Sequence, residues 1–341
     1  MKKSVIVLFS ALFVIGFGGC ASMQLREAVN LYNKGDNEYK KEKYNEALGY
    51  FEKALNIFRI EGHDENTAAT LHYIGSINKK FGKYDKSLTF FKDALKINKK
   101  LNIPKNIATD LNEIGLIYDS LGKYEEALKY YEESLKIFKK LNNPKSIAIT
   151  LGNIGAVYRS LGQYDKALSY YNESLKIYRE LKIPQDIAMS LNNIGGVYLS
   201  QNKYKEAEDK FLDAEKEMAK MTGVKLSGNS GMVDVYLSTG RYEKALTLLK
   251  DMSPRWNTDD PLRIQYHTQH GLALKGNGMF KEASSEFLKA VSISEEMRRK
   301  GKEKTGFFSG GTAGNLQKGG HFLRLWLSLQ KRARGLSSQR K

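Results

Sequence analysis

His267-x-x-His270 places two imidazoles three residues apart, on one face of any helix that carries them, which is the spacing of some metal-ligand pairs. No third ligand stands near them in the sequence, and both occupy packing positions, so they read as interface histidines. Gly310-Gly311-Thr312-Ala313-Gly314 is glycine-rich but lacks the Gly-Lys-Ser/Thr ending and the preceding strand that a phosphate-cradling loop needs. The single cysteine, Cys20, excludes an internal disulfide and a Cys-based zinc site. Asn172-Glu173-Ser174 spells a glycosylation sequon inside a helical segment, and most of the 20 tyrosines recur at core spacing, which argues against a base-stacking platform. No nucleophile, base and oxyanion donor group together, so the expectation is a protein without catalysis, metal or cofactor.

The elements that carry these residues are bounded by composition. A chain of 341 residues with 41% hydrophobic residues is too long for one small domain and too apolar for disorder, and 5 Pro with 30 Gly exclude a collagen-like or low-complexity chain. The net charge of +17 is concentrated at the ends, in Lys2 and Lys3 and in residues 304–341, which hold eight cations and no acid. Elsewhere Lys and Glu are interspersed, as on solvated helix faces, and no nucleic-acid partner is expected.

Lys2 and Lys3 precede an apolar run over residues 5–17, followed by Gly18, Gly19 and Cys20. A positive start, an apolar stretch of this length and small residues before a cut describe an export signal, and the run is short for a stable membrane span. Phe17-Gly18-Gly19-Cys20 resembles the lipobox of bacterial lipoproteins, with Phe17 where Leu, Val or Ile is commoner. That resemblance implies lipidation of Cys20 and a lipid-anchored place in the bacterial cell envelope. Ala21 after the cysteine implies the outer membrane if the host has one.

Residues 71–200 superimpose on themselves at a period of forty. Leu111-Asn112-Glu113-Ile114-Gly115, Leu151-Gly152-Asn153-Ile154-Gly155 and Leu191-Asn192-Asn193-Ile194-Gly195 are one motif. The aromatic after the following turn recurs as Tyr44, Tyr84, Tyr124, Tyr164, Tyr204, Tyr242 and Phe280, which makes seven copies. Small residues follow each, as in Ala127 and Ser134, with a large one between, as in Tyr131. Apolar residues at spacings of three and four predict two amphipathic helices per copy. Pro104, Pro144 and Pro184 suit the first turn of a helix, and Gly122 and Gly162 suit the turn between two.

These residues resemble the tetratricopeptide repeat in a forty-residue form. The resemblance implies an all-α, right-handed α-solenoid of about seven helix-turn-helix repeats, in which stacking buries what one hairpin cannot. The expected organisation is a signal at 1–19, the lipidated Cys and a linker at 20–23, the solenoid at 24–295 and a basic tail at 296–341. Repeats one, six and seven depart from the pattern, with Lys34, Val233 and His267/His270 at motif positions, and residues 251–261 lengthen a connection.

By the same resemblance the first helix of each repeat lines a concave groove. The expected groove positions are Tyr73, Glu113, Asn153 and Asn193, then Ser76, Leu116, Ala156 and Gly196, then Lys79, Asp119, Arg159 and Leu199. An Asn amide both donates and accepts, so Asn153 and Asn193 are expected to clamp the backbone of an extended peptide, with the asparagines merely solvating an unused groove as the alternative. The Lys/Asn set with which some family members grip a chaperone's terminal carboxylate is not reproduced.

The stretch from Glu295 weakly resembles the connector that leads from such repeats into a caspase-like CHAT protease domain. Too few residues follow to hold that domain. Three readings of the tail stand open: a cap or disordered end, an out-of-frame remnant, and a membrane or nucleic-acid patch built on Phe322, Leu323, Leu325, Trp326, Leu327 and Leu329 before Lys331, Arg332 and Arg334. The expected function is a lipid-anchored, non-catalytic scaffold that binds a protein or peptide. The alternative is the regulatory repeat region of a truncated or split CHAT-type protease.

Overall fold

The computed structural model describes residues 23–222, 230–252 and 261–299, and every regular element among them is an α-helix. The export signal with Cys20, most of the 251–261 connection and the basic tail lie outside the described residues. Seven hairpins follow one another: α1 (Met23–Lys40) with α2 (Tyr44–Ile60), α3 (Asp64–Lys80) with α4 (Tyr84–Lys100), α5 (Pro104–Ser120) with α6 (Tyr124–Lys140), α7 (Pro144–Ser160) with α8 (Tyr164–Glu180), α9 (Pro184–Ser200) with α10 (Tyr204–Thr222), α11 (Ser230–Ser238) with α12 (Tyr242–Met252), and α13 (Pro261–Gly276) with α14 (Phe280–Arg299). The fold class is the all-α solenoid of helix-turn-helix repeats that the periodicity predicts.

Eleven of the fourteen described helices are followed by a residue in the left-handed conformation. Gly122 and Gly162 both take φ +71°, and their amides and those of Lys123 and Gln163 close back on the carbonyls of the last turn, as in Lys123 N–H to Tyr118 O at 2.9 Å. Asn102, Asn142, Lys182, Asn202 and Glu42 take the same conformation without being glycine. Pro104, Pro144 and Pro184 each open a helix, and before Pro144 the Asn143 side chain accepts the Ser146 N–H at 3.2 Å.

The core repeats with the sequence. Phe51, Phe91, Tyr131, Tyr171, Phe211 and Phe287 are buried, and each lays its ring against the glycine of its own repeat's first helix. A Cβ on Gly115 would stand 2.6 Å from the Tyr131 ring, and one on Gly195 2.7 Å from Phe211, so glycine is what admits the aromatic. Repeat six solves the same problem differently. Val233 replaces the glycine and Leu249 replaces the aromatic, both fully buried in one cluster, so volume lost on one helix is restored on the other.

Polar contacts join consecutive repeats at a spacing close to one period. His72 Nδ1 lies 2.8 Å from Asp110 Oδ1, Asn112 Oδ1 accepts from Thr150 Oγ1 at 3.4 Å, and Gln269 Nε2 donates to Asp234 Oδ1 at 2.8 Å. Arg241 grips Glu208 with two hydrogen bonds of 3.0 and 2.8 Å. The chain forms two compact units, one of α1 to α4 with α5 as far as Asp110, the other from Leu111 onward. No helix among the described residues is long and apolar enough to cross a membrane.

Candidate functional site

Helices α5, α7 and α9 carry equivalent residues at intervals of forty, so Glu113, Asn153 and Asn193 stand at one register position and Asp119 and Arg159 at another, two turns further on. Asn153 spends one amide N–H on Asn112 Oδ1, 3.1 Å away in the preceding repeat. Among the described residues Asn193 makes no hydrogen bond. The two asparagines are thus unequal, with one braced by the scaffold and the other open.

Asp119 and Arg159 are half-buried, and neither side chain makes a hydrogen bond or ion pair among the described residues. Burial raises the Asp119 carboxyl above the usual carboxylate range, and the positive charge of Arg159 only partly opposes it. The Arg159 guanidinium reaches toward the next repeat, where its Nη1 lies 2.9 Å from the place a Cβ on Gly196 would occupy.

Behind this pair lie two hydroxyls that nothing satisfies. Tyr131 and Tyr171 are buried with their rings against Gly115 and Gly155, and neither OH has a hydrogen-bond partner. Burial raises the Tyr131 hydroxyl well above the usual value, helped by the charges of Asp119 and Glu113. Tyr171 is pushed up to about 12 by burial, with Arg159 opposing and Asp119 adding to the shift. One carboxylate, one guanidinium and two phenols therefore share an electrostatic neighbourhood, each lacking a hydrogen-bond partner. An unsatisfied buried polar group costs about 1–3 kcal/mol, so the two phenol hydroxyls are a standing cost in the core behind the charged pair.

The other expected groove residues behave differently. In the first unit the Tyr73 OH donates to Asp36 Oδ1 at 3.1 Å, and its ring stacks on Phe51 at 4.8 Å with Tyr32 and Tyr39 edge-on. Burial, then the neighbouring Tyr32 and Asp36 charges, raise its pKa, so Tyr73 works as part of an aromatic knot. Lys79 and Glu113 are half-buried and both engage neighbours. Nearby, buried Asp110 receives Asn98 Nδ2 at 2.7 Å besides His72. Tyr131 and Tyr171 were legible only as core residues. The available signal was Tyr in repeats three and four where repeats one, two, five and seven have Phe.

The histidine pair meets one carboxylate. His267 Nδ1 lies 2.7 Å from Glu286 Oε2, His270 Nδ1 approaches the same oxygen at 3.3 Å, and Lys289 Nζ donates to Oε1 at 2.7 Å. Among the described residues no group of three His, Cys, Asp or Glu is arranged to hold a metal ion. The tyrosines stack on each other, Tyr118 on Tyr130 at 5.3 Å and Tyr158 on Tyr170 at 5.4 Å. The sequon's Ser174 is buried, its hydroxyl donating to Ala148 O at 2.8 Å.

The tetratricopeptide repeat family matches residues 26–100, 106–180 and 146–216, and a PPR repeat matches residues 230–253. No curated protein matches the chain. Among solved structures, a Rap protein complexed with competence and sporulation factor is 17% identical with a TM-score of 0.57, covering 80% of this chain and 76% of its own. The apo quorum sensor NprR of B. thuringiensis is 18% identical with a TM-score of 0.62, covering 80% and 77%. A tetratricopeptide repeat protein from Parabacteroides merdae is 20% identical with a TM-score of 0.55, covering 79% and 93%.

Proposed function

The chain belongs to the tetratricopeptide repeat family, and from that premise we propose that it is a non-catalytic scaffold whose repeats three to five hold an extended peptide segment of a partner protein. The observation that carries this reading is the placement of Asp119 and Arg159, opposite charges at one register position of adjacent repeats, with Arg159 reaching to Gly196 beside Asn193 on the next. An extended backbone offers alternating N–H and C=O groups, and Asn193 with the free carbonyl side of Asn153 can receive them. The Rap protein of similar fold, solved with competence and sporulation factor, supports a binding role for such a solenoid.

The same proposal places the protein at the bacterial envelope, held by lipid on Cys20, because the only thiol in the chain stands at the end of the export signal. Two acyl signals on one residue hold a bilayer far better than a single myristoyl chain. Crosslinking in host membranes tests both parts. The intact chain is expected to capture one defined protein that an Arg159→Ala, Asn193→Ala variant of unchanged helicity loses, and Cys20→Ser is expected to abolish fatty-acid labelling. Identical captures by both chains would end the groove reading, and labelling that survives Cys20→Ser would end the anchor.

A further inference from the structure

We infer that the ligand segment seated on α5, α7 and α9 is dipolar, presenting a cationic N–H group to Asp119 and a carboxylate to Arg159, in that order along the repeats. The inference rests on the groove reading and adds the chemistry and direction of the occupant.

Asp119 and Arg159 have opposite charge, occupy the same position in successive repeats and do not pair. Arg159 extends its guanidinium to Gly196 on α9, the repeat that follows its own, while Asp119 stands on α5 in the repeat before. A ligand that reaches both closes the gap that the scaffold keeps open. Asp119 is half-buried, and the charge of Arg159 only partly offsets the cost of that burial, so its carboxylate favours a closer ammonium or guanidinium.

Arg159 presents the opposite preference. Its planar guanidinium is matched to a carboxylate, which it binds through two parallel N–H groups. It lies over Gly196, and Asn193 stands one turn earlier on the same face of α9 with its amide unengaged, so a second donor sits beside the first. Arg159 and Asn193 thus form the carboxylate end of the site, and Asp119 with Glu113 nearby forms the cation end. The hydroxyl of Tyr131 belongs electrostatically to the acidic end, while Tyr171 feels both charges. An extended chain rises about 3.3 Å per residue, so the two charges of the ligand stand about two to four residues apart.

The test is selection of random dodecapeptides against the full chain and against the Asp119→Lys, Arg159→Glu variant, with helicity monitored by circular dichroism. Peptides enriched on the native chain are expected to carry a basic and an acidic residue at one fixed spacing and order. Those enriched on the variant are expected to carry the reverse order, and each set to bind the other protein at least tenfold more weakly. If the double variant does not fold, Asp119→Asn and Arg159→Gln singly are each expected to weaken the native peptides about tenfold. Peptides without a charge pair, bound equally by the charge variants but lost on Asn193→Ala, would overturn the dipolar ligand and leave the groove. Enrichment of nothing, or of peptides insensitive to Asn153 and Asn193 variants, would overturn the groove and this inference together.

Discussion

Arg159 lies across Gly196, its Nη1 2.9 Å from where a Cβ on that residue would project. Ser76, Leu116 and Ala156 stand at the equivalent position in the preceding repeats, so among repeats two to five glycine occurs there in repeat five alone. The contact involves the far end of a flexible side chain, and a methyl group at 196 would displace Arg159 without disturbing the core. Gly196→Ala is therefore expected to change stability by less than about 1 kcal/mol, with the helical gain of Ala offsetting the shift. Peptide affinity is expected to fall several-fold, and calorimetric titration beside a thermal melt separates the two effects.

Gly115→Ala is a different substitution because its Cβ meets the buried Tyr131 ring at 2.6 Å. Overpacking of this kind costs about 1–3 kcal/mol. Gly49→Ala on α2, where a Cβ meets nothing within 4 Å, is expected to stabilise by about 0.5–1 kcal/mol. Urea melts of the two variants should move in opposite directions.

Tyr131→Phe and Tyr171→Phe remove hydroxyls that the free protein leaves unsatisfied. Each is expected to raise the stability of the chain by about 1 kcal/mol and to leave peptide binding unchanged, since both hydroxyls are sealed in the core. A variant that is less stable would show that the hydroxyls serve the core.

Acid should loosen the seventh repeat. Burial alone would push the Glu286 carboxyl up, but the surrounding donors of His267, His270 and Lys289 overcome it and hold the group well below its ordinary value of 4.5. The unfolded chain therefore binds a proton more readily than the folded one as the pH drops. The stabilisation is complete above about 4.5 and is lost progressively as the pH falls toward the folded value. Glu286→Gln is expected to cost about 1.5–3 kcal/mol at neutral pH and to flatten the acid side of the stability profile, read by melts from pH 7 to pH 2.

Lys182 and Glu42 hold φ +53° and +63°, a conformation that an L side chain enters at a cost of about 1–2 kcal/mol. Glycine occupies the equivalent position to Lys182 at Gly62, and to Glu42 at Gly122 and Gly162. Lys182→Gly should gain up to about 1 kcal/mol, less the extra chain entropy that glycine loses on folding.

Helix boundaries, the seven-fold count and the glycine under each aromatic were legible because they depend on residue size and backbone tolerance, which repeat with the letters. Tyr73 illustrates the limit. Its register position was readable, yet its bond to Asp36 and its stacking on Phe51 depend on what the first repeat places opposite it. Asn153 and Asn193 looked alike in sequence and differ in the fold because Asn112 waits one repeat before the first. The orphan hydroxyls of Tyr131 and Tyr171 were hidden for the opposite reason, since a phenol and a phenyl ring fill the same core position. Val233 read as a departure until Leu249 was seen to complement it.

Near-identical repeats carry a hazard during folding, because a hairpin can dock on the wrong copy of its neighbour. The polar contacts between repeats answer it. His72 finds a carboxylate only if Asp110 follows it, because Thr150 and Ser190 stand at the equivalent position in later repeats. A hairpin skipped or docked out of turn would meet Thr or Ser where it needs Asp, with the same apolar fit. The contacts act as a written order along an otherwise repetitive chain, so the sequence of repeats is remembered by chemistry where shape alone would forget it.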